Sequence, residues 1–191
     1  SVAANSVKEF IALAKAKPGA LNYSSGIGGS GPHLGGELFK ALAGVDIVRI
    51  PYKGGTPALQ GLIAGQTQVM FATTTQAVPQ VKSGKLRALG VTTAQPSTLF
   101  PDLPTVASQG VPGFELTAAN GVFAPGRTPA AVINKLNIEI NKVLQQPEIR
   151  NRFLSVGTEV VNSTPEQAAA AIKADMTRLG KVIKEAGIRA E

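Results

Sequence analysis

Leu21-Asn-Tyr-Ser-Ser-Gly-Ile-Gly-Gly-Ser-Gly-Pro-His-Leu34 is the stretch on which the fold turns. Leu21 to Ser24 reads as a short strand and Gly26 to Gly31 as a loop. Leu34, Leu38 and Leu42, four residues apart, then line one face of a helix that stops at Gly44. A strand, a loop and a helix in that order form the repeating unit of an α/β chain. The loop also spells G-x-G-x-x-G, the pattern of dinucleotide-binding turns. That reading requires an acidic residue at the carboxyl end of the next strand, where it would take the ribose hydroxyls. Asp46 has the right separation but opens the strand read over Val45 to Ile50, whose far end continues Pro51-Tyr-Lys53 with nothing acidic. Pro32 moreover places the helix start beyond the last glycine, leaving a wide loop instead of a tight turn. An anion site fits better. Gly26, Gly28, Gly29 and Gly31 leave room for backbone N–H groups, that of Ile27 among them, to come close to a ligand, and the helix aims its positive end there. Ser24, Ser25 and Ser30 add hydroxyl donors.

Working outward, the same unit recurs. Ser6-Val-Lys-Glu9 is a capping box ahead of the apolar face Val7, Phe10, Ile11 and Ala14, and Pro18-Gly19 stops that helix. After the strand Val45 to Ile50, Thr56-Pro57 caps a helix closed by Gly65. Val69 to Ala72 reads as a strand, Thr73 to Thr75 as a polar turn, Gln76 to Lys82 as a short helix, and Leu86 to Thr92 as a further strand. This alternation implies crossover connections and a mostly parallel sheet. Pro96, Pro101, Pro104 and Pro112 then mark an irregular stretch, with one short helix near Val106, where the chain is expected to cross between domains. Phe114 to Ala124 reads as extended. Helices follow from Thr128-Pro129 and from Pro147, a brief strand is expected over Thr158 to Val161, and the box Thr164-Pro-Glu-Gln167 starts a last helix ending near Gly187.

Composition narrows the chemistry. The 191 residues carry a net charge of +7, and no segment is low in complexity. The basic residues are scattered; the densest group, Arg178, Lys181, Lys184 and Arg189, has no interleaved aromatics and reads as a solvated helix face, not a nucleic-acid surface. With no cysteine and His33 as the single histidine, Cys/His zinc sites and cysteine catalysis are excluded. Neither a signal peptide nor a membrane-spanning apolar run is evident, so the expectation is a mature or trimmed soluble chain. No paired carboxylates, activated serine or metal cluster marks an enzyme, and no cofactor is expected.

Two further loops follow strands and should open on the same sheet edge as the glycine loop: Tyr52-Lys-Gly-Gly-Thr56 and Thr73-Thr-Thr-Gln76. Lys53 is a candidate for a ligand-facing charge, Thr73 and Thr74 for hydrogen bonds. His33, in the first helical turn, either faces the site or orients the loop by bonding to backbone, and the structural role is favoured.

The blocks Asn5-Ser-Val-Lys-Glu-Phe10, Leu21-Asn-Tyr-Ser-Ser25, Pro32-His-Leu-Gly-Gly-Glu-Leu-Phe39, Val48-Arg-Ile-Pro-Tyr-Lys-Gly54, Gly65-Gln-Thr-Gln-Val-Met-Phe71, Gly84-Lys-Leu-Arg-Ala-Leu89, Leu103-Pro-Thr-Val106 and Thr164-Pro-Glu166 together resemble the Bug-type receptors of the tripartite tricarboxylate transporter family. The resemblance covers the whole chain. It implies the type II periplasmic-binding-protein architecture, two α/β lobes around a cleft that closes on a small carboxylate. It also implies a periplasmic location and membrane transporter components as partners. By resemblance, Ser24 to His33 clamps one carboxylate, with Lys53 to Thr56 and Thr73 to Gln76 lining the same cleft. Residues 1–118 would be the ligand-binding second lobe, and residues 119–191 the mainly helical C-terminal share of the first.

Two departures from the family pattern qualify that expectation. Where members commonly carry Asp-Asn after Met-Phe, this chain has Ala72-Thr73, which favours a mono- or dicarboxylate or an aromatic acid over an amino acid. The family's opening segment also precedes Ser1, so the first lobe is expected to be partial and its exposed helix faces a route to self-association. A ligand-sensing effector module of a regulator shares the two-lobe plan and is the first alternative, with a nucleotide-dependent enzyme the second.

Overall fold

The structure is a computed structural model that describes residues 2–188. Arg189 of the terminal basic group lies outside them. Helix α1 (Val7–Ala16) starts where its capping box places it: the Ser6 hydroxyl accepts the Glu9 N–H at 3.1 Å, and the Glu9 carboxylate accepts the Asn5 N–H at 2.7 Å. Strand β1 (Leu21–Ser25) runs parallel to β2 (Ile47–Pro51), in register from Leu21 opposite Ile47 to Ser25 opposite Pro51. Between them α2 (Gly31–Ala43) makes the crossover, and left-handed Gly44 ends it as the sequence predicts. Two glycines inside α2 cost about 1 kcal/mol each in helix propensity, and packing explains them. A Cβ on Gly36 would enter the Tyr23 ring, and one on Gly35 would stand 2.8 Å from Phe71 Cβ. The helix lies on the strand and the aromatic core at a distance that only hydrogen allows.

The remaining expected strands do not form ladders. Val69 to Ala72 contributes one parallel bridge, Val69 to Tyr23, before the chain turns into α4 (Thr74–Lys82). Leu86 to Thr92 likewise contributes one bridge, Val91 to Thr105, whose neighbour Pro104 has no N–H to extend it. Thr158 to Val161 is not a strand: among the described residues no strand lies beside it, and Val161 is 76% exposed. The sheet is parallel as expected but narrow.

Three helix starts also move: α2 takes in Gly31, the last glycine of the loop, with Ser30 as its cap and Pro32 second, positions where a missing N–H costs no helical bond. Helix α3 (Gly55–Ile63) begins with Gly54 as its cap, so Thr56 sits inside the first turn instead of capping it. Pro57 falls third, still among positions whose N–H has no helical partner. Helix α4 takes in Thr74 and Thr75, with Thr73 as its cap. The proline-rich stretch carries one 3₁₀ turn, Ala107–Gln109. Beyond it come α5 (Ala130–Leu144), α6 (Pro147–Ser155) and α7 (Pro165–Glu185). The capping box of α7 is complete: Thr164 Oγ1 accepts from Gln167 N at 3.2 Å, and Gln167 Oε1 accepts from Thr164 N at 2.9 Å.

The chain divides into two units, a larger one of residues 1–118 with the segment from Lys181 onward, and a smaller one over Ala119–Gly180. The core belongs to the larger. Phe39 stands at its centre, with ring centroids 6.0 Å from Phe10, 5.4 Å from Phe71 and 6.2 Å from Phe114, and with Tyr23, Ile47 and Val111 buried in the same cluster. The smaller unit consists of α5, α6 and most of α7. Among the described residues, no helix is long and apolar enough to cross a membrane.

Candidate functional site

Three loops meet at the carboxyl edge of β1 and β2. The ladder closes with the Tyr52 N–H donating to Ser25 O at 2.9 Å, which sets the second loop beside the first. A Cβ on Gly26 would stand 3.3 Å from the carbonyl carbon of Gly54 and 3.4 Å from Gly55 N, so the loops touch backbone to backbone. The side chain of Gln76, from the third loop, lies against Gly55. The convergence expected for loops that follow parallel strands is therefore present inside the larger unit.

Within the glycine loop, Ser24, Ser25 and Gly26 are buried, Gly28 is half-buried, Gly29 and Gly31 are exposed, and Ile27 projects at 59% exposure. His33 is buried, and its Nδ1 accepts the Gly29 N–H at 3.1 Å. The imidazole thus ties the first turn of α2 to the backbone of the loop. Ser25 Oγ donates to Gly26 O at 3.2 Å and accepts from Arg49 Nε at 2.7 Å, while Arg49 Nη2 donates to Gly26 O at 3.0 Å. The Ser24 and Ser30 hydroxyl oxygens are buried and have no hydrogen-bond partner. Unpartnered buried hydroxyls are costly, by about 1–3 kcal/mol each, and two of them share this loop. Thr73 Oγ1 donates to Gln76 Oε1 at 3.0 Å, whereas Lys53 and Thr74 point to solvent beside the converging backbones.

Electrostatics favour an anion. Helices α2, α3 and α4 each begin at one of these loops, and none is capped by a side chain: Ser30, Gly54 and Thr73 make no side-chain cap bond. Each N-terminus carries roughly half a positive charge, felt within the first turn. Asp46 lies at the opposite, amino end of β2, where its carbonyl accepts the Gly19 N–H at 3.0 Å, far along the strand from any ligand at the glycine loop. No group of three His, Cys, Asp or Glu side chains suited to a metal occurs among the described residues. What the arrangement offers is hydrogen-bond donors and helix ends.

Arg49 escaped the sequence reading. In isolation it is one more scattered basic residue; its meaning comes from the register, which sets it opposite Tyr23 and on the face of the sheet that also carries Ser25.

Comparison with known proteins identifies the family of the chain. The family described as tripartite tricarboxylate transporter family receptor (TctC) matches residues 1–188. Among solved structures, "R. palustris Rpa4515 with adipate" superposes with a TM-score of 0.87 at 34% identity, over 98% of this chain and 63% of that one. "Periplasmic binding protein BugD" gives 0.84 at 30% identity, over 100% and 64%. MatC (Rpa3494) from Rhodopseudomonas palustris with bound malate gives 0.78 at 30% identity, over 93% and 62%. The chain spans about half the length of curated relatives that it matches, 54% of one and 57% of another. Uncapped helix ends, a glycine loop and this match along 1–188 agree, and the chain belongs to the tripartite tricarboxylate transporter receptor family.

Proposed function

We propose that this chain is the carboxylate-capturing part of a periplasmic receptor that passes its ligand to the membrane components of a tripartite transporter and catalyses nothing itself. The observation that carries the reading is the meeting of three uncapped helix N-termini at a glycine loop with two unpartnered buried hydroxyls, Ser24 and Ser30. Such a surface offers donors and positive potential to a carboxylate, and it lacks the paired acid and base that proton transfer demands. Relatives holding adipate and malate support a dicarboxylate in particular. Ala72-Thr73 adds no negative charge to the third loop, leaving it without a natural counterion for an amino group.

Calorimetric titration with adipate, malate and an aromatic acid, accompanied by amide shifts of the glycine loop, tests the proposal. Binding should be anion-dependent, weaken with salt and move the amides of Gly26 to Gly31. Millimolar titrations that leave both heat and amide shifts flat would sink it.

A further inference from the structure

We infer that Arg49 is a positioning residue for the anion loop: its guanidinium fixes the peptide between Gly26 and Ile27 and so aims a backbone N–H at the ligand. The inference rests on the carboxylate reading for its ligand, but not for its geometry. Arg49 leaves β2 opposite Tyr23 and runs forward along the shared face of the sheet to the end of β1. There it closes a ring of three hydrogen bonds. Nε–H donates to Ser25 Oγ at 2.7 Å, the Ser25 hydroxyl donates to Gly26 O at 3.2 Å, and an Nη2–H donates to the same carbonyl at 3.0 Å.

The consequence is twofold. Gly26 O receives two donors, one of them charged, which fills both lone pairs. A carbonyl that would otherwise repel a carboxylate is thereby turned away and occupied. No peptide bond in the described chain is cis, so the Ile27 N–H points opposite to the Gly26 C=O. Anchoring the carbonyl on the Arg49 side directs that N–H away from Arg49, toward the open side of the loop where Ile27 itself is exposed. The charge also stays close to the anion site without being spent on an ion pair with the ligand. Lysine could not replace it, since a single ammonium lacks the fixed fork that spans a hydroxyl and a carbonyl.

Hydrogen exchange on the unliganded protein decides the matter, because it reads the loop whether or not a ligand is known. In Arg49→Gln the Gly29 and Ser30 amides, which donate to His33 Nδ1 at 3.1 Å and to Ile27 O at 3.2 Å, should exchange roughly tenfold faster or more once the Gly26 carbonyl is no longer anchored. Arg49→Lys should resemble Arg49→Gln, and Ser25→Ala should show part of the effect and add little to Arg49→Gln in the double variant. The amides of α1 serve as an internal standard for folding. Unchanged loop exchange in Arg49→Gln, with α1 protected, overturns the inference. Adipate titration of the same variants then separates the two ideas. Wild type that ignores adipate counts against the carboxylate reading alone, while wild type and Arg49→Gln binding equally tightly counts against Arg49.

Discussion

The larger and smaller units are built from similar amphipathic helices, yet they use their apolar faces differently. Up to residue 118 the apolar side chains converge: Phe10, Phe39, Phe114, Tyr23 and Ile47 are at most 2% exposed. Between Ala119 and Gly180 no apolar side chain is buried among the described residues. Leu136, Val143, Phe153 and Leu154 remain 40–47% exposed, and Met176 reaches 70%. The difference lies in what the helices have to pack on. Helix α2 lies on a strand, with two glycines spent on the approach, whereas α5 and α6 have no sheet inside their own unit. Periodicity makes a helix; a core needs a second layer. The proposed anion site sits where that second layer exists, its loops rooted on β1 and β2.

That contrast can be broken by substitution. The largest effect is expected for Phe39→Ala, which removes the ring shared by Phe10, Phe71 and Phe114 and should cost about 3–5 kcal/mol in urea unfolding. A loss below 1 kcal/mol would mean that the aromatic cluster is not the core of the unit.

A smaller effect should appear only in alkali. Burial, and next the Glu37 carboxylate that accepts its proton at 2.6 Å, push the Tyr23 hydroxyl well above the ordinary tyrosine range. Below about pH 10 both folded and unfolded chains keep that proton, and the stabilisation is complete. Above it the unfolded chain releases the proton while the folded chain holds it, so stability should fall as pH rises. Tyr23→Phe should flatten this fall relative to wild type, with Glu37 still paired to Lys40 at 3.2 Å. Parallel slopes for the two proteins between about pH 9 and 11 would contradict the assignment.

The smallest effect is expected in the smaller unit. Leu136→Ala removes a side chain that is already 47% exposed and should cost less than about 1 kcal/mol. A loss as large as that at Phe39 would erase the distinction between the units.

Local signals were legible in the sequence wherever one residue decides the outcome. Ser6 and Thr164 cap their helices, Gly44 ends α2, and Asp46 falls at the wrong strand end for a ribose. Pairing was less legible, because β propensity in Val69 to Ala72 or Thr158 to Val161 says nothing about whether a neighbour stands ready. The glycine loop and its two companions could be read from their places after strands. Arg49 could not, since its role depends on the register that sets it opposite Tyr23, and a one-residue slip would turn it to the other face.

The backbone contact at Gly26 also prescribes where new ligand preferences can be sought. A library that diversifies the whole loop meets its tightest backbone constraint at position 26, where an added methyl would stand 3.3 Å from the Gly54 carbonyl carbon. Gly31 has nothing within 4 Å of an added Cβ and no positive φ, and Ile27 already faces outward. Diversity confined to 27 and 31 spares the Gly26–Gly54 backbone contact, which marks those two positions as the tunable letters of the loop and position 26 as part of its fixed grammar.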